Sequence, residues 1–328
     1  MKEKILQLLK EDDGFVSGQD ISDRFGVSRT SIWKAIRQLE DMGYEIEAVR
    51  NRGYRLVSEP DLLTEERVEE LLHTEWAGRS VLVCDSVDST NNEVKRRAED
   101  DAGEGLLVIG EEQTAGRGRR GRVWASKKGE GIFMSLLIRP KIDPGCASML
   151  TLVMGLAVRD ALEEICGEDS PDFRIKWPND IVCDGKKVCG ILTEMSAETD
   201  CINYVVIGVG INVHNPEFPE EIAGMATSVY QLTGRKICRA ELVAACLRQF
   251  EQEYAVFLKT QDLSALMNRY NEYLINCGRE VCVLDEHGDI TGTARGINAR
   301  GELLVETQEG ERHIASGEVS VRGVYGYV

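Results

Sequence analysis

The chain is organised around the heptad Gly116-Arg117-Gly118-Arg119-Arg120-Gly121-Arg122, which suits neither a helix nor a packed core. Its three glycines lower the steric cost of unusual backbone angles and let the main chain approach a ligand. Its four arginines carry donors that suit carboxylate and phosphate oxygens. The heptad therefore indicates an anion-binding loop, and the alternative is a solvated basic loop.

The same heptad fits the G-x-G-x-x-G pattern of dinucleotide-binding folds, which need a strand before the glycines and a helix opening from them. A strand is expected at Leu106–Gly110, but residues 123–129 have no helical period, and arginines stand where small side chains are needed. A P-loop is excluded as well, because no Gly-Lys-Ser/Thr follows.

Composition indicates a multidomain cytoplasmic protein. The 328 residues, 42% of them hydrophobic, suffice for two or three domains with a sizeable core. No apolar run approaches the ~20 residues that span a bilayer, and Met1-Lys2-Glu3-Lys4 lacks the apolar core of a signal peptide, so no membrane partner is expected. The formal net charge of −17 argues against non-specific coating of nucleic acid, so any DNA contact must be local.

The cysteine pattern favours reduced, buried thiols. The ten cysteines include no C-x-x-C pair, and only four histidines accompany them. Neither pattern is typical of a zinc site. We therefore predict no metal site made by the protein alone.

Residues 1–58 predict a winged helix-turn-helix domain. Gly14 is expected to end a first helix, and Ser17-Gly18-Gln19-Asp20 to open a second. The short turn Phe25-Gly26-Val27-Ser28 joins it to a third helix, from Arg29 to about Met42, as in a helix-turn-helix.

The two β-rich runs that follow, Tyr44–Val49 and Tyr54–Val57, flank a basic tip, as in a DNA-binding wing. Acidic and basic residues are equal in number in this region, so a solvated helical bundle is the alternative. The basic residues crowd the third helix and the wing tip, which favours DNA binding. The candidate DNA contacts are Arg29, Thr30, Ser31, Lys34, Arg37, Arg50 and Arg52.

After a linker at Ser58-Glu59-Pro60-Asp61, residues 62–273 predict one mixed α/β domain with helices on a face of its sheet. Its strands are expected at Val81–Cys84, Leu106–Gly110, Gly131–Ile138, Val188–Met195 and Tyr204–Ile211. Its main helices are expected at Leu63–His73, Met149–Ile165, Arg239–Leu258 and Leu263–Asn271.

Residues 278–328 predict a small β-barrel, because brief strands there are punctuated by glycine. These strands are Glu280–Leu284, Ile290–Ile297, Leu303–Val305, His313–Ile314 and Val319–Val321. The whole chain is therefore expected to be an α+β protein of three domains.

Four polar stretches fall at strand ends in the central domain. Asp88-Ser89-Thr90-Asn91-Asn92 starts a helix, which its side chains can cap unless they face a ligand. Lys176-Trp177-Pro178-Asn179-Asp180 combines a cation, a rigid turn and a carboxylate that can order loops or help to hold a metal-nucleotide. Lys186-Lys187-Val188 leads a lysine into an apolar strand, and Gly208-Val209-Gly210 allows close backbone approach.

The chain resembles the family of bifunctional biotin ligases and biotin-operon repressors over nearly its whole length. Beside the helix-turn-helix, five motifs occur in the family's order: Asp88-Ser89-Thr90-Asn91, Gln113-Thr114-Ala115-Gly116-Arg117-Gly118-Arg119-Arg120-Gly121, Lys176-Trp177-Pro178-Asn179-Asp180, Lys187-Val188-Cys189-Gly190-Ile191-Leu192 and Gly208-Val209-Gly210-Ile211-Asn212.

The resemblance implies a class II synthetase-like ligase domain and an SH3-like terminal barrel. It also implies that biotin and Mg-ATP form biotinyl-5′-adenylate, and that a lysine of the biotin carboxyl carrier protein then accepts the biotinyl group. The winged domain would bind operator DNA and repress biotin genes, as a homodimer that the adenylate promotes. The implied ligands are thus biotin, ATP and Mg²⁺.

Carried over residue by residue, the resemblance implies that Arg119 and Lys187 are catalytic. The implied biotin contacts are Ser89, Thr90, Asn91, Gln113, Arg117, Gly118, Arg119, Lys187, Gly190 and Gly208. The implied nucleotide contacts are Arg117, Arg119, Trp124, Asn179, Asp180 and Asn212. Trp124 packs either on adenine or in the core, and Lys187 is preferred to Lys186 because the family's lysine lies three residues before Gly190.

Two alternatives stay open. A lipoate-type ligase shares the adenylate chemistry but is not expected to carry the winged domain or the arginine-glycine loop. A biotin-sensing regulator without ligase activity would not need the acyl-transfer residues Arg117, Arg119 and Lys187.

Overall fold

The computed structural model describes residues 1–12, 14–58, 61, 63–198, 201–284, 288–316, 320–323 and 327–328. The predicted linker residues Glu59 and Pro60, and Val319 of the last predicted strand, lie outside these ranges. The chain divides into two compact units, Met1–Leu62 and Leu63–Val328.

The first unit has the three predicted helices followed by the predicted hairpin. Its elements are α1 Lys2–Glu11, α2 Gly18–Phe25, α3 Arg29–Asp41, β1 Glu45–Val49 and β2 Gly53–Ser58. The first helix therefore ends three residues earlier than Gly14. One side of each helix, together with Val16 from the α1–α2 connection, builds a small core of Ile5, Leu8, Leu9, Ile21, Ile32, Ala35 and Ile36.

Local capping fixes the turn between α2 and α3. Gly26 ends α2 in the left-handed region, with φ 65°, which favours glycine. Ser28 then begins α3, because its side chain accepts a hydrogen bond from the backbone N–H of Ser31 at 3.2 Å. The helix-turn-helix prediction is confirmed, and each of these signals was readable in the sequence.

The second unit is built on a seven-stranded mixed sheet in the order β3-β4-β5-β9-β8-β7-β6. Its strands are β3 Ser80–Cys84, β4 Leu106–Gly110, β5 Gly131–Ile138, β6 Arg174–Lys176, β7 Asp180–Cys183, β8 Lys186–Ala197 and β9 Ile202–Asn212. Only the β3–β4 pair is parallel among the described ladders of this sheet. The helices of this unit are α4 Glu65–Leu71, α5 Thr90–Glu99, α6 Met149–Cys166, α7 Glu220–Ala223, α8 Val229–Thr233, α9 Arg239–Thr260 and α10 Met267–Tyr273.

Helices cover both faces of this sheet, not one face as predicted. In β4, Leu107 and Ile109 belong to the large core that contains α6 and α9, whereas Leu106 and Val108 pack in a second cluster with α5. Because alternate residues of a strand point to opposite faces, β4 is buried throughout. The continuous apolar run of this strand is the signature of two-sided burial.

The longest apolar helix of the described residues is a core helix. The segment Pro144–Asp169 is long and apolar enough to cross a membrane, yet 78% of its most apolar window is buried inside the protein. A helix that is apolar on all sides is what a central position in the core requires.

Several predicted boundaries were wrong, and four short elements were missed. The strands β6 and β7 and the helices α7 and α8 are three to five residues long, too short for periodicity to reveal them. The predicted helix from Leu263 begins only at Met267, because the backbone N–H of Leu263 donates to the carbonyl of Ala299. Likewise α4 is shorter than predicted.

The C-terminal part of the second unit is an antiparallel sheet in the order β13-β12-β11-β10-β14. Its strands are β10 Glu280–Leu284, β11 Ile290–Ile297, β12 Leu303–Thr307, β13 Gly310–Ile314 and β14 Ser320–Gly323. Among the described residues no pairing of β13 with β14 closes it into a barrel, so the predicted strands are present in an open sheet.

Candidate active site

The floor of the site is a pair of glycine-bearing strands. Gly190 of β8 faces Gly210 of β9 across the ladder, and Leu192 faces Gly208. A Cβ added at Gly208 would lie 2.1 Å from Oδ1 of Asn91, and one added at Gly210 would lie 2.7 Å from the Trp124 ring. The glycines therefore let side chains from other elements rest directly on the backbone.

Two cavities share the lining residues Gly118, Arg119, Trp124, Asn179 and Lys187, and the first of them lies over this floor. The first has a volume of about 50 Å³, and the second is a groove of about 1370 Å³. Every residue predicted to contact biotin lines the first cavity, together with the predicted nucleotide contacts Trp124 and Asn179. Asp180 and Asn212 line the groove. The first cavity is smaller than the ~300 Å³ of typical ligand pockets, whereas the groove that shares part of its lining is larger.

A hydrogen-bond network supports the lining of the first cavity, which we call the inner cavity. Gln113 Oε1 accepts from the backbone N–H of Thr90 at 2.9 Å, and its Nε2 donates to Ser126 Oγ at 3.0 Å. The buried Ser135 hydroxyl meets Thr90 Oγ1 at 2.7 Å and Asn91 Oδ1 at 2.6 Å. Neighbouring segments thereby fix the polar side chains that face the cavity.

Of the two roles left open for the Asp88–Asn92 motif, side-chain capping of α5 is not observed. Ser89 occupies the N-cap position of α5 but makes no side-chain capping hydrogen bond. Asp88 instead accepts from Asn92 and Arg96, and this Arg96 contact holds the pKa of its carboxyl well below the usual range. The buried side chains of Ser89, Thr90 and Asn91 are thus left to line the cavity.

A charged cluster occupies the junction of the two cavities. Lys187 Nζ lies 2.6 Å from Oδ1 of Asp180, while Lys186 is exposed. Burial raises the pKa of Asp180, but the charges of Lys187 and Lys176 outweigh it and hold that pKa below its usual value. Burial lowers the pKa of Lys176 to about 8. The Asp180 carboxylate therefore lies between two cations, Lys187 and Lys176, and is largely shielded from water.

The arginine-glycine heptad forms a tight loop. Gly118 N–H donates to the carbonyl of Arg122 at 2.7 Å, and Trp124 N–H donates to that of Gly116 at 3.0 Å. Arg119 points inward, where it donates to Asn179 Oδ1 at 3.1 Å and to the carbonyl of Ser316 at 2.9 Å. The other arginines, Arg117, Arg120 and Arg122, are exposed.

Trp124 lies at the site and not in the core. Its ring rests on Gly190 and Gly210, and Lys187 Nζ is 5.0 Å from the ring centroid. The indole Nε1 is buried and has no hydrogen-bond partner among the described residues. The side chain is half-buried, so it can be rearranged without opening the core.

In the first unit, all the candidate DNA contacts on α3 and the β1–β2 tip are exposed. Arg52 and Arg55 both lie over the ring of Phe15, at 4.5 and 4.9 Å from its centroid, which supports the hairpin. Trp33, 51% exposed, stands between Ile32 and Lys34 and was not selected from the sequence. Its exposure on α3 could have been anticipated from its polar neighbours on the predicted helix face.

Comparison with known families agrees with this architecture. Residues 83–212 match the biotin/lipoate A/B protein ligase family, residues 2–55 match an HTH domain, and residues 277–322 match the biotin protein ligase C-terminal domain. The fold and site are therefore those of a biotin/lipoate-type protein ligase that carries a helix-turn-helix.

Full-length relatives define the family more narrowly. The chain is 42% identical over 309 residues to the bifunctional ligase/repressor BirA of Bacillus spizizenii, and the match covers 94% of each chain. It is 31% identical to BirA of Escherichia coli, over 97% of this chain and 96% of that one. The chain belongs to the family of bifunctional biotin ligase/repressors.

A solved structure has the same fold as most of this chain. The biotin protein ligase from Aquifex aeolicus in complex with biotin and ATP superposes with a TM-score of 0.66 at 35% identity, covering 75% of this chain and 99% of that one.

Proposed function

We propose that the chain is an ATP-dependent biotin ligase that forms biotinyl-5′-adenylate, biotinylates a lysine of a biotin carboxyl carrier protein, and represses biotin genes. The observation that carries this proposal is the continuous site described above. A small polar cavity meets a larger groove where Arg119 and Lys187 converge. The Aquifex relative supports biotin and ATP as the ligands.

The first half-reaction joins two anions and expels a third. A carboxylate oxygen of biotin attacks the α-phosphorus of ATP, the bond to the bridging oxygen breaks, and pyrophosphate leaves. Arg119 and Lys187 offset the charge that accumulates, and the glycine floor lets the reacting groups approach the backbone. In the second half-reaction the lysine amine of the carrier attacks the acyl carbon, and AMP leaves.

Within this scheme Ser89, Thr90, Asn91 and Gln113 hold the ring system of biotin, and Arg117 and Gly118 cover the adenylate. Trp124 packs against adenine, for which its half-buried ring on the glycine floor is suited. Asn179 and Asn212 lie toward the nucleotide.

Asp180 suits a nucleotide-bound Mg²⁺. Mg²⁺ binds through one or two carboxylates plus substrate phosphates. Both oxygens of the buried Asp180 carboxylate are engaged, Oδ1 at 2.6 Å from Lys187 Nζ and Oδ2 by the Tyr327 hydroxyl, so Mg²⁺ would bind there in exchange for Lys187. With ATP bound, Mg²⁺ would neutralise phosphate charge, and Asp180 and Asn179 would hold it.

The domain roles follow the sequence boundaries. Residues 1–58 bind operator DNA, residues 62–273 form a class II synthetase-like catalytic domain, and residues 278–328 form an SH3-like module. The antiparallel order of β10 to β14 supports that module. The protein acts in the cytoplasm, with no membrane partner.

Repression requires two copies. One recognition helix in a unit without net positive charge binds DNA too weakly to select a site. A symmetric dimer presents two such helices to two half-sites. The adenylate orders the arginine-glycine loop and so reduces the entropy that dimer formation costs.

The test is to incubate purified protein with biotin and Mg-ATP and to detect biotinyl-adenylate by mass spectrometry, then to add carrier protein and measure its mass gain. Lipoyl-adenylate in place of biotinyl-adenylate would favour a lipoate-type ligase. Biotin binding without adenylate would favour a regulator that lacks ligase activity.

The repressor role is tested separately. Sedimentation with and without the adenylate reports dimer formation, and binding to an inverted repeat upstream of biotin genes reports site selection. A monomer that binds the repeat tightly with adenylate present would refute the coupling and leave the ligase function intact.

A further inference from the structure

A carboxylate behind the inner cavity fixes the orientation of Asn91. Nδ2 of Asn91 donates to Oε2 of Glu194 at 2.7 Å and to the carbonyl of Leu192 at 3.3 Å. The other oxygen of Glu194 accepts from Lys95 Nζ at 2.6 Å. Because a carboxylate and a carbonyl only accept, the amide nitrogen must face them. Oδ1 of Asn91 must therefore point the opposite way.

The direction of the next hydrogen bond follows. Oδ1 of Asn91 lies 2.6 Å from the hydroxyl of Ser135 and can only accept, so Ser135 donates its proton there. That hydroxyl is completely buried. Ser135 has a single proton, which leaves none for its second contact, the 2.7 Å approach to Thr90 Oγ1.

Thr90 must supply the proton for that contact. If Thr90 donated instead to Oε1 of Gln113, which is 3.2 Å away, two hydroxyl oxygens would face each other at 2.7 Å without a hydrogen between them. Gln113 Oε1 already accepts from the backbone N–H of Thr90. The proton of Thr90 is thus committed to Ser135, which leaves the lone pairs of Thr90 Oγ1 without a donor in this network.

We propose that Glu194 is a positioning residue that acts through Asn91 and Ser135 to make Thr90 Oγ1 a hydrogen-bond acceptor for an N–H group of the bound ligand. Thr90 lines the inner cavity, whereas Glu194 is not among the residues that line it. An acceptor at Thr90 Oγ1 favours ligands whose head group carries an N–H donor, such as a cyclic urea. The inference rests on the proposed function, since the urea ring of biotin is the group concerned.

One packing contact keeps the chain of hydrogen bonds from reversing, and an ion pair borders the carboxylate that sets its direction. A Cβ added at Gly208 would lie 2.1 Å from Asn91 Oδ1, so the amide is packed against the strand and has little room to turn. Lys95 places a cation beside Glu194, and both side chains are about one-third exposed. The Glu194 carboxylate can only accept hydrogen bonds. A glutamine amide of the same shape could also donate one to Asn91.

The variant that isolates this property is Glu194→Gln, which preserves shape but permits both proton directions. Lys95→Met is the matched control, because it removes the ion pair and leaves the carboxylate. Titration calorimetry of the full chain with biotin is expected to show affinity lowered about tenfold in Glu194→Gln, the scale of one misdirected buried hydrogen bond. Lys95→Met should stay within about twofold, as for an exposed ion pair.

Two readouts separate positioning from a general structural effect. In Glu194→Gln the KM for ATP in pyrophosphate exchange should be unchanged. The double variant Thr90→Val/Glu194→Gln should bind biotin as well as Thr90→Val alone, because the effect of Glu194→Gln passes through the Thr90 hydroxyl. A biotin analogue methylated on the ureido nitrogens should lose less affinity in Glu194→Gln than in the wild type.

Unchanged biotin affinity in Glu194→Gln, or fully additive losses in the double variant, would overturn this inference while the proposed function stands. Failure of the wild-type protein to bind biotin would overturn both.

Discussion

Tyr327 donates a hydrogen bond to Oδ2 of Asp180, the same buried carboxylate whose Oδ1 lies 2.6 Å from Lys187 Nζ. The ring of Tyr327 also lies over Lys176, 3.9 Å from Nζ to the centroid. Burial and then the charge of Asp180 raise the pKa of the Tyr327 hydroxyl, so it remains a donor at any physiological pH. The C-terminal segment thus completes the charged cluster at the mouth of the groove.

Replacing Tyr327 with phenylalanine should destabilise the second unit. The change keeps the ring over Lys176 but removes a hydrogen bond to a buried charge, which is worth about 1.5–3 kcal/mol. Urea denaturation should report this loss. Tyr270→Phe is the matched control, because the buried Tyr270 hydroxyl has no hydrogen-bond partner among the described residues and its removal should cost nothing. Equal losses in the two variants would contradict the prediction.

The lowered pKa of Lys176 predicts that the contribution of this side chain to the unfolding free energy changes with pH. The folded chain releases this proton near pH 8, whereas the unfolded chain keeps it up to about pH 10.4. Between these values the unfolded state binds more protons, so the contribution of Lys176 to stability rises with pH.

From pH 7.5 to 9.5, the wild type should therefore gain about 2 kcal/mol of unfolding free energy relative to Lys176→Met. Urea denaturation in the presence of reductant measures both proteins at each pH. Taking the difference between the two proteins cancels the titration of the cysteines and tyrosines. A difference that is constant or falls with pH would contradict the desolvated state of Lys176.

The sequence predicted those parts of the fold in which local signals agree. In the helix-turn-helix, the caps Ser17 and Ser28 and the turn residue Gly26 lie where the pattern placed them. The strand β4 was predicted with its exact ends, because an apolar run bounded by glycines needs no knowledge of its partners. The closed barrel was not found, since five short strands do not reveal which edges pair.

The residues predicted to bind ligands line the cavities, but their supporting contacts were beyond sequence reasoning. Ser135 and Glu194 lie within strands and looked like ordinary strand residues. Tyr327 reaches Asp180 across 147 positions, and Ser316 reaches Arg119 across 197. Only the tertiary fold brings such pairs together, so no motif spacing could have suggested them.

The glycine floor predicts that Gly210→Ala will impair nucleotide use. The added Cβ would lie 2.7 Å from the Trp124 ring, which must move. We expect the KM for ATP in pyrophosphate exchange to rise about tenfold, equivalent to ~1.4 kcal/mol. Gly155→Ala is the control, because its Cβ would meet nothing closer than 3.9 Å and alanine favours the helix α6. Normal ATP kinetics in Gly210→Ala would show that Trp124 does not serve the nucleotide.

The arginine-glycine loop should become resistant to trypsin when biotin and ATP are added together. Arg117, Arg120 and Arg122 are exposed, whereas Arg119 is held by Asn179 and Ser316, so cleavage without ligand should favour the three exposed sites. A loop that closes over a reactive intermediate excludes water and protease alike. Mass spectrometry of the fragments identifies the cleavage sites. Cleavage rates that are unchanged by biotin and ATP would argue against closure of the loop.

The two adjacent lysines provide the sharpest test of the catalytic assignment. Lys187 is paired with Asp180 at the junction of the cavities, while the side chain of Lys186 is exposed. Lys187→Ala should slow adenylate formation about 10²- to 10³-fold, the effect of removing one preorganised electrostatic donor. Lys186→Ala should leave the rate within about twofold, as expected for an exposed charge.

Single-turnover formation of biotinyl-adenylate measures both variants, and it separates the chemical step from carrier binding. Lys187→Ala also leaves the Asp180 carboxylate without its nearest cation, so urea denaturation must confirm that the variant is folded at the assay temperature. Folded Lys187→Ala protein with a normal rate, or a slow Lys186→Ala, would show that the catalytic ammonium is not the one that the structure places beside Asp180.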